Sequence, residues 1–151
     1  MISHYFDTGV AIKLVIEEPL SAKVLAFVEK RTLPIPFSML LELETENTLH
    51  ALHFRKEITT RQLAGARNLM SLMLRSGRFL SIAISMDRIA QETLSLVPLV
   101  TVKTGCRTLD LMHVATAKIL KATHFVSTDR RQLAAARLCG LQATNLEEAK
   151  S

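Results

Sequence analysis

Thr108-Leu-Asp-Leu-Met-His-Val-Ala-Thr-Ala-Lys-Ile-Leu-Lys121, then Thr123-His-Phe-Val126, then Asp129-Arg-Arg-Gln-Leu-Ala-Ala-Ala-Arg-Leu-Cys139 are the segments that decide the fold. The first reads as a helix, the second as a short apolar strand and the third as another helix. Asp129 and Gln132 stand at N-cap and N3 spacing. Gly140 suits the left-handed position after a helix, with Leu141 as the apolar residue behind it. A last short strand includes Leu141 to Thr144. Strands alternating with longer helices predict an α/β fold with a mostly parallel sheet and helices on both faces.

The same alternation runs back to the N-terminus. Ile2 to Phe6 is a β-type run that stops at Asp7, and a helical stretch from Val10 to Ile16 ends before Pro19. A second helix spans about Ser21 to Lys30. Leu33-Pro-Ile-Pro-Phe37 is extended, since each proline biases its predecessor away from helix. Ser38 caps a helix reaching about Arg55, and Thr59 with Gln62 has capping-box spacing for a helix that stops near Gly77. Phe79 to Ile84 reads as a strand and Met86 to Leu96 as a helix. No linker, repeat or charge block interrupts this pattern, so residues 1–151 are expected to form one domain.

Composition bounds the function. The chain has 151 residues, 48% of them hydrophobic, which is too apolar for disorder and enough for one core. A net charge of +5 suits a polyanionic partner. No apolar run reaches the ~18 residues of a membrane span. The N-terminal residues lack the pattern of a signal peptide. Cys106 and Cys139 form neither a disulfide framework nor a metal-ligand spacing, so a reduced cytoplasmic protein is expected.

In a doubly wound fold, ligands gather beyond the carboxyl ends of the strands. Asp7 directly follows the first strand, and Asp129 follows Phe125-Val-Ser-Thr at the end of a later one. Each suits a site role and, equally, a helix cap. On the helix from Ser38, Glu42, Glu46, His50 and His53 fall near one face, and Glu42 and Glu46 read as solvated. Glu44 points away, sharing its face with Leu40, Leu41, Thr48 and Ala51, where an acid is costly unless something satisfies it. It is therefore either a salt-bridged core acid or a site acid. Asp110 lies in the first turn of its helix, where the dipole favours a negative charge, yet Leu109, Leu111 and Met112 surround it. His113, one turn along, reads as a buried, hydrogen-bonded histidine rather than a metal ligand.

If the four acids converge, two carboxylates ~5 Å apart repel by about 3 kcal/mol at an effective dielectric near 20. Several together must take up protons or a cation. Hard oxygen donors without a Cys/His set favour Mg²⁺ or Mn²⁺ over Zn²⁺. Mg²⁺ that keeps waters and takes a substrate phosphate is the arrangement of metal-assisted phosphodiester cleavage.

Four blocks of the chain resemble PIN-domain proteins, specifically VapC-type toxins. Tyr5-Phe-Asp-Thr-Gly-Val-Ala-Ile-Lys-Leu-Val-Ile-Glu-Glu18 is similar to their opening. Pro36-Phe-Ser-Met-Leu-Leu-Glu-Leu-Glu44, with Asn47, Leu49 and Phe54-Arg-Lys-Glu-Ile-Thr59, is similar to the segment of their second acid. Arg107-Thr-Leu-Asp-Leu-Met-His-Val-Ala-Thr-Ala117 resembles the third, and Phe125-Val-Ser-Thr-Asp-Arg-Arg-Gln132 the fourth. The blocks occur in the family's order over most of residues 1–145. The resemblance implies a PIN-like three-layer α/β/α sandwich with a central parallel sheet of about five strands. It implies that Asp7, Glu44, Asp110 and Asp129 surround Mg²⁺ or Mn²⁺, the Asp7 and Asp110 types holding it most directly. It further implies endonucleolytic hydrolysis of RNA, a homodimer and a VapB-like antitoxin that blocks the site. Gly9 departs from the family, which commonly carries Ser or Thr there.

Lys13, Arg107, Arg130 and Arg131 lie beside the matched segments and are candidates for RNA phosphate contacts, the alternative being that they neutralise neighbouring acids or lie in solvent. One Tyr and no Trp leave few stacking platforms, so shape and backbone readout are expected. Two other readings remain at this point. One is a non-catalytic PIN-like module that binds RNA or protein. The other is a phosphoacceptor receiver domain, against which stand a solitary Asp7 and the lack of a Lys after the last strand.

Overall fold

The computed structural model describes residues 2–31 and 34–148. Along the chain come β1 (His4–Phe6), α1 (Thr8–Ala11) with a 3₁₀ turn (Ile12–Leu14), α2 (Ser21–Arg31), β2 (Ile35–Ser38), α3 (Met39–Phe54) and α4 (Thr60–Arg75). There follow β3 (Phe79–Ile82), α5 (Met86–Leu96), a π-helical segment (Val97–Thr101) leading into α6 (Val102–Thr104), α7 (Thr108–Ile119), β4 (His124–Ser127), α8 (Arg130–Leu138) and β5 (Gln142–Asn145).

All strand pairs are parallel, as the alternation of strands and helices predicts. The expected sheet of about five strands is divided, however. β1, β4 and β5 form one ladder with β4 central, and β2 pairs only with β3, although β1 packs beside β2. Pro36 explains the division. The Ile35 amide donates to the Arg78 carbonyl on the β3 side. Alternate residues point the other way, so the amide that would reach β1 belongs to Pro36, which has no N–H.

Side-chain alternation builds a core on each sheet face. Phe6 and Val126 pack with Val10, Ile35, Phe37, Leu41, Leu49 and Phe79 beneath α1–α4. Tyr5 and Phe125 point oppositely, into Leu96, Val100, Leu111, Val114 and Leu133 beneath α5, α7 and α8. The result is the three-layer α/β/α sandwich.

Most element ends follow local chemistry. Ser38 caps α3, and Thr59 and Gln62 form the reciprocal capping box of α4. Gly140, at φ 81°, closes α8 as a Schellman motif: its amide reaches the Arg137 carbonyl and that of Leu141 reaches Ala136. The helix expected from Val10 to Ile16 instead begins at Thr8, because the Asp7 side chain caps it, and tightens to 3₁₀ geometry after Ala11. β1 starts at His4 rather than Ile2, since the Ser3 carbonyl already takes the Thr123 and His124 amides. β3 ends at Ile82, two residues early. The extended reading of Leu33 lies outside the described residues, while Ile35 to Ser38 is a strand. Among the described residues, no helix is long and apolar enough to cross a membrane.

Candidate active site

β1 and β4 are adjacent and parallel, so their carboxyl ends share one edge and bring Asp7 beside Ser127 and Asp129. Asp7 is 5% exposed. Its Oδ1 accepts the Val10 amide at 2.8 Å, and its Oδ2 accepts the Ser127 hydroxyl. Ser127 Oγ in turn accepts the Asp129 amide at 2.9 Å. Asp129 caps α8 by accepting the Gln132 amide at 2.9 Å, and the Gln132 side-chain amide donates to the Asp110 carbonyl at 3.1 Å. Asp7 and Asp129 thus cap helices and stand at the sheet edge at once. The cap and site readings are compatible.

Glu44 projects from α3 and Asp110 from α7, both half-buried. The Thr8 hydroxyl donates to Glu44 Oε2 at 2.8 Å, and the same oxygen bonds His113 Nε2. His113 Nδ1 lies 2.7 Å from the Tyr5 hydroxyl. Glu44 is therefore satisfied in the way its apolar helix face requires, and His113 is the buried, hydrogen-bonded histidine that its setting predicts.

The electrostatics bind these groups together. Burial pushes the Asp7 carboxyl up, against the Ser127 bond, the His113 attraction and the Val10 amide, and Asp110 adds to the rise. Asp110 is also raised, by burial first and then by the charges of Asp129 and Glu44. Burial acts upward on Glu44 too, but the hydrogen bond and attraction of His113 and the Thr8 bond outweigh it and hold its carboxyl below the usual range. Asp110 thus sits in the field of the other three acids, a charge arrangement that a cation would relieve. Among the described residues, no three Asp, Glu, His or Cys side chains form a ready-made metal cage. Mg²⁺ does not require one, since it typically keeps several waters and takes one or two protein carboxylates. The donor chemistry fits Mg²⁺ or Mn²⁺.

The basic candidates are less gathered. Lys13 pairs with Glu18 at 2.9 Å, which matches the neutralising alternative. Arg130 is 83% exposed and only 3.8 Å from Glu148. Arg107 caps α7 through its backbone and acts electrostatically on Asp110; Arg131 is exposed on α8. Glu42 is exposed, and Glu46 pairs with Arg67, as a solvated face predicts.

Sequence reasoning missed Tyr5, Thr8, Ser127 and Gln132 as parts of the site. A faint signal existed for Ser127, a hydroxyl ending an otherwise apolar strand two residues before an acid. Nothing local marked Tyr5, whose bond to His113 spans 108 residues.

The family model of the PIN domain matches residues 4–138. No curated protein matches the chain. Among solved structures, FitAcB from Neisseria gonorrhoeae is similar, with a TM-score of 0.61 and 14% identity over 97% of this chain and 99% of that one. At that identity the likeness speaks for the fold alone.

Proposed function

The chain belongs to the PIN domain family, and from that premise we propose that it is a divalent-metal-dependent endoribonuclease of the VapC type, the toxin of a toxin–antitoxin pair. PIN domains are in general metal-dependent nucleases, and membership leaves the receiver-domain reading without support. The observation that carries the proposal is the hydrogen-bond network beyond β1 and β4, in which Ser127 joins Asp7 to Asp129, Gln132 joins the cap of α8 to the Asp110 backbone, and Thr8, next to Asp7, holds Glu44.

Asp7 and Asp110 would hold Mg²⁺ or Mn²⁺, with Glu44 and Asp129 completing the pocket. Such an ion, when bound, lowers the pKa of a coordinated water and offsets charge developing on a phosphodiester. The protein's own groups fix the geometry. The Val10 amide and Ser127 hydroxyl orient Asp7. Gln132 ties the backbone of Asp110 to the cap of α8. Arg107, Arg130, Arg131 and, once released from Glu18, Lys13 supply cations for RNA phosphates, in keeping with the net charge of +5.

Two protein partners belong to this proposal, a VapB-like antitoxin that covers the acids and a second copy of the chain. Met39, Leu43 and Phe54 support a protein contact, since they fall within one helix face of α3 and are 55%, 57% and 86% exposed. Gly9 favours the second reading, a non-catalytic PIN module, because it withholds a hydroxyl from the Asp7 end of the site.

Incubation of the antitoxin-free protein with total cellular RNA, under Mg²⁺, Mn²⁺ or chelator and beside Asp7→Asn, separates the two. Discrete metal-dependent products absent from Asp7→Asn are expected. Intact RNA with either metal and folded protein would establish the binding module instead.

A further inference from the structure

His113 is 1% exposed, and an imidazole so deeply placed needs a partner for each nitrogen. It has them on opposite sides: Tyr5 at Nδ1, and Glu44 at Nε2, with Thr8 Oγ1 3.1 Å away. A carboxylate only accepts, so Nε2 carries a proton aimed at Glu44, while Nδ1 faces the Tyr5 hydroxyl. The two oxygens of Glu44 are consequently unequal. Oε2 takes donors from both Thr8 and His113; Oε1 takes none among the described residues.

We propose that Tyr5 and His113 are positioning residues for Glu44: with Thr8 they commit Oε2 to the protein and leave Oε1 as the oxygen available to a divalent cation or its hydration shell. This rests on the nuclease reading for the cation, but the hydrogen-bond relay stands on the geometry alone. It also excludes His113 as a ligand in this arrangement, since both ring nitrogens are engaged. The relay joins β1, α3 and α7, so placement of the second acid depends on the first strand and on the helix that carries Asp110. Loss of a partner that orients a metal-site group typically costs ~10–100-fold in affinity or activity.

The test has two independent readouts. Two-bond ¹H–¹⁵N correlation spectra of histidine-labelled protein report which ring nitrogen carries the proton. A proton on Nε2 is expected, and a proton on Nδ1 alone overturns the relay. Mn²⁺ titration followed by electron paramagnetic resonance then compares wild type with His113→Leu, His113→Gln and Tyr5→Phe, each first shown to be folded by its near-UV circular dichroism. Affinity is expected to fall roughly 10–100-fold in His113→Leu and to recover in large part in His113→Gln, whose amide still donates to Glu44. Tyr5→Phe keeps the ring but frees the tautomer, so an intermediate loss and an altered ¹⁵N pattern are expected. Wild-type Mn²⁺ affinity in folded His113→Leu overturns the proposal. If the wild type itself binds no Mn²⁺, the nuclease reading fails and the tautomer decides the relay by itself.

Discussion

Ser127 and Asp7, 120 residues apart in sequence, share a buried hydrogen bond in which the hydroxyl ending β4 donates to the carboxylate following β1. Parallel pairing of the two strands, Phe6 opposite Val126, sets that meeting. Ser127 also accepts the Asp129 amide, so one buried side chain fixes two of the four acids.

Replacing Ser127 with Ala removes that tie. Asp7 keeps only the Val10 amide as a donor to its side chain, and the Asp129 amide loses its acceptor. A hydrogen bond to a charged group is worth about 1.5–3 kcal/mol, so Ser127→Ala should lower unfolding stability by roughly 2 kcal/mol. Urea denaturation measures this. A loss below about 0.5 kcal/mol would mean that water replaces the hydroxyl at no cost.

His4 makes the fold sensitive to acid. Its ring stacks on that of His124 at 4.3 Å, and burial, followed by the charges of His124 and Arg31, brings its pKa from 6.5 to about 4. The folded value lies below the unfolded one, so the unfolded chain binds more protons between them. The stability contributed by neutral His4 is therefore complete above about pH 6.5 and lost as pH falls towards 4. His4→Phe keeps an aromatic ring at the stack and removes the titration. Urea midpoints at about pH 7.5 and pH 5 should converge in the variant relative to wild type; an unchanged gap would assign the acid sensitivity to other groups.

The parts of the fold that were legible in the sequence are those governed by neighbours along the chain. Strand stops at Asp7, the Thr59–Gln62 box and the Gly140 cap are all decided within a few residues, and so are the places of Asp7 and Asp129 at strand ends. Glu44 was legible as an acid needing satisfaction. Its partner was not, because His113 lies 69 residues away and meets it only after α3 and α7 pack. The division of the sheet turned on which side of β2 Pro36 faces, a register that periodicity alone does not supply. Pro98, which has no N–H to give, marks the end of α5 locally, but that the chain continues as a π-helical turn over Val97–Thr101 is not written in the sequence pattern.

Thr45 carries a removable defect. It is 1% exposed within α3, and its hydroxyl is the one buried side-chain polar atom among the described residues that lacks a hydrogen bond. Val has nearly the same shape without the polar atom. Thr45→Val should stabilise the fold by about 1 kcal/mol, the order of the cost of an unmet buried hydroxyl. The urea midpoint should rise with the denaturant slope unchanged, whereas a fall would reveal a partner for the hydroxyl, such as a buried water.

Gly9 is the position where a substitution should improve the site. Its backbone does not occupy the left-handed region that favours glycine, and a Cβ there would stand 3.6 Å from Asp7 Oδ1 and 3.8 Å from Oδ2, ordinary contact distances. Neither conformation nor space demands glycine. Because Gly9 lies within α1, Gly9→Ala should stabilise by about 0.5–1 kcal/mol through backbone entropy alone. Gly9→Ser adds a hydroxyl one bond beyond the Cβ, within reach of the Asp7 carboxylate or the water shell of an ion held there. Mn²⁺ affinity should rise roughly 10-fold in the Ser variant, the lower end of what such supporting contacts contribute, and stay at the wild-type value in the Ala variant. Equal affinities in the two would show that the hydroxyl adds nothing, and that any change at residue 9 comes from a stiffer helix rather than from a better-held Asp7.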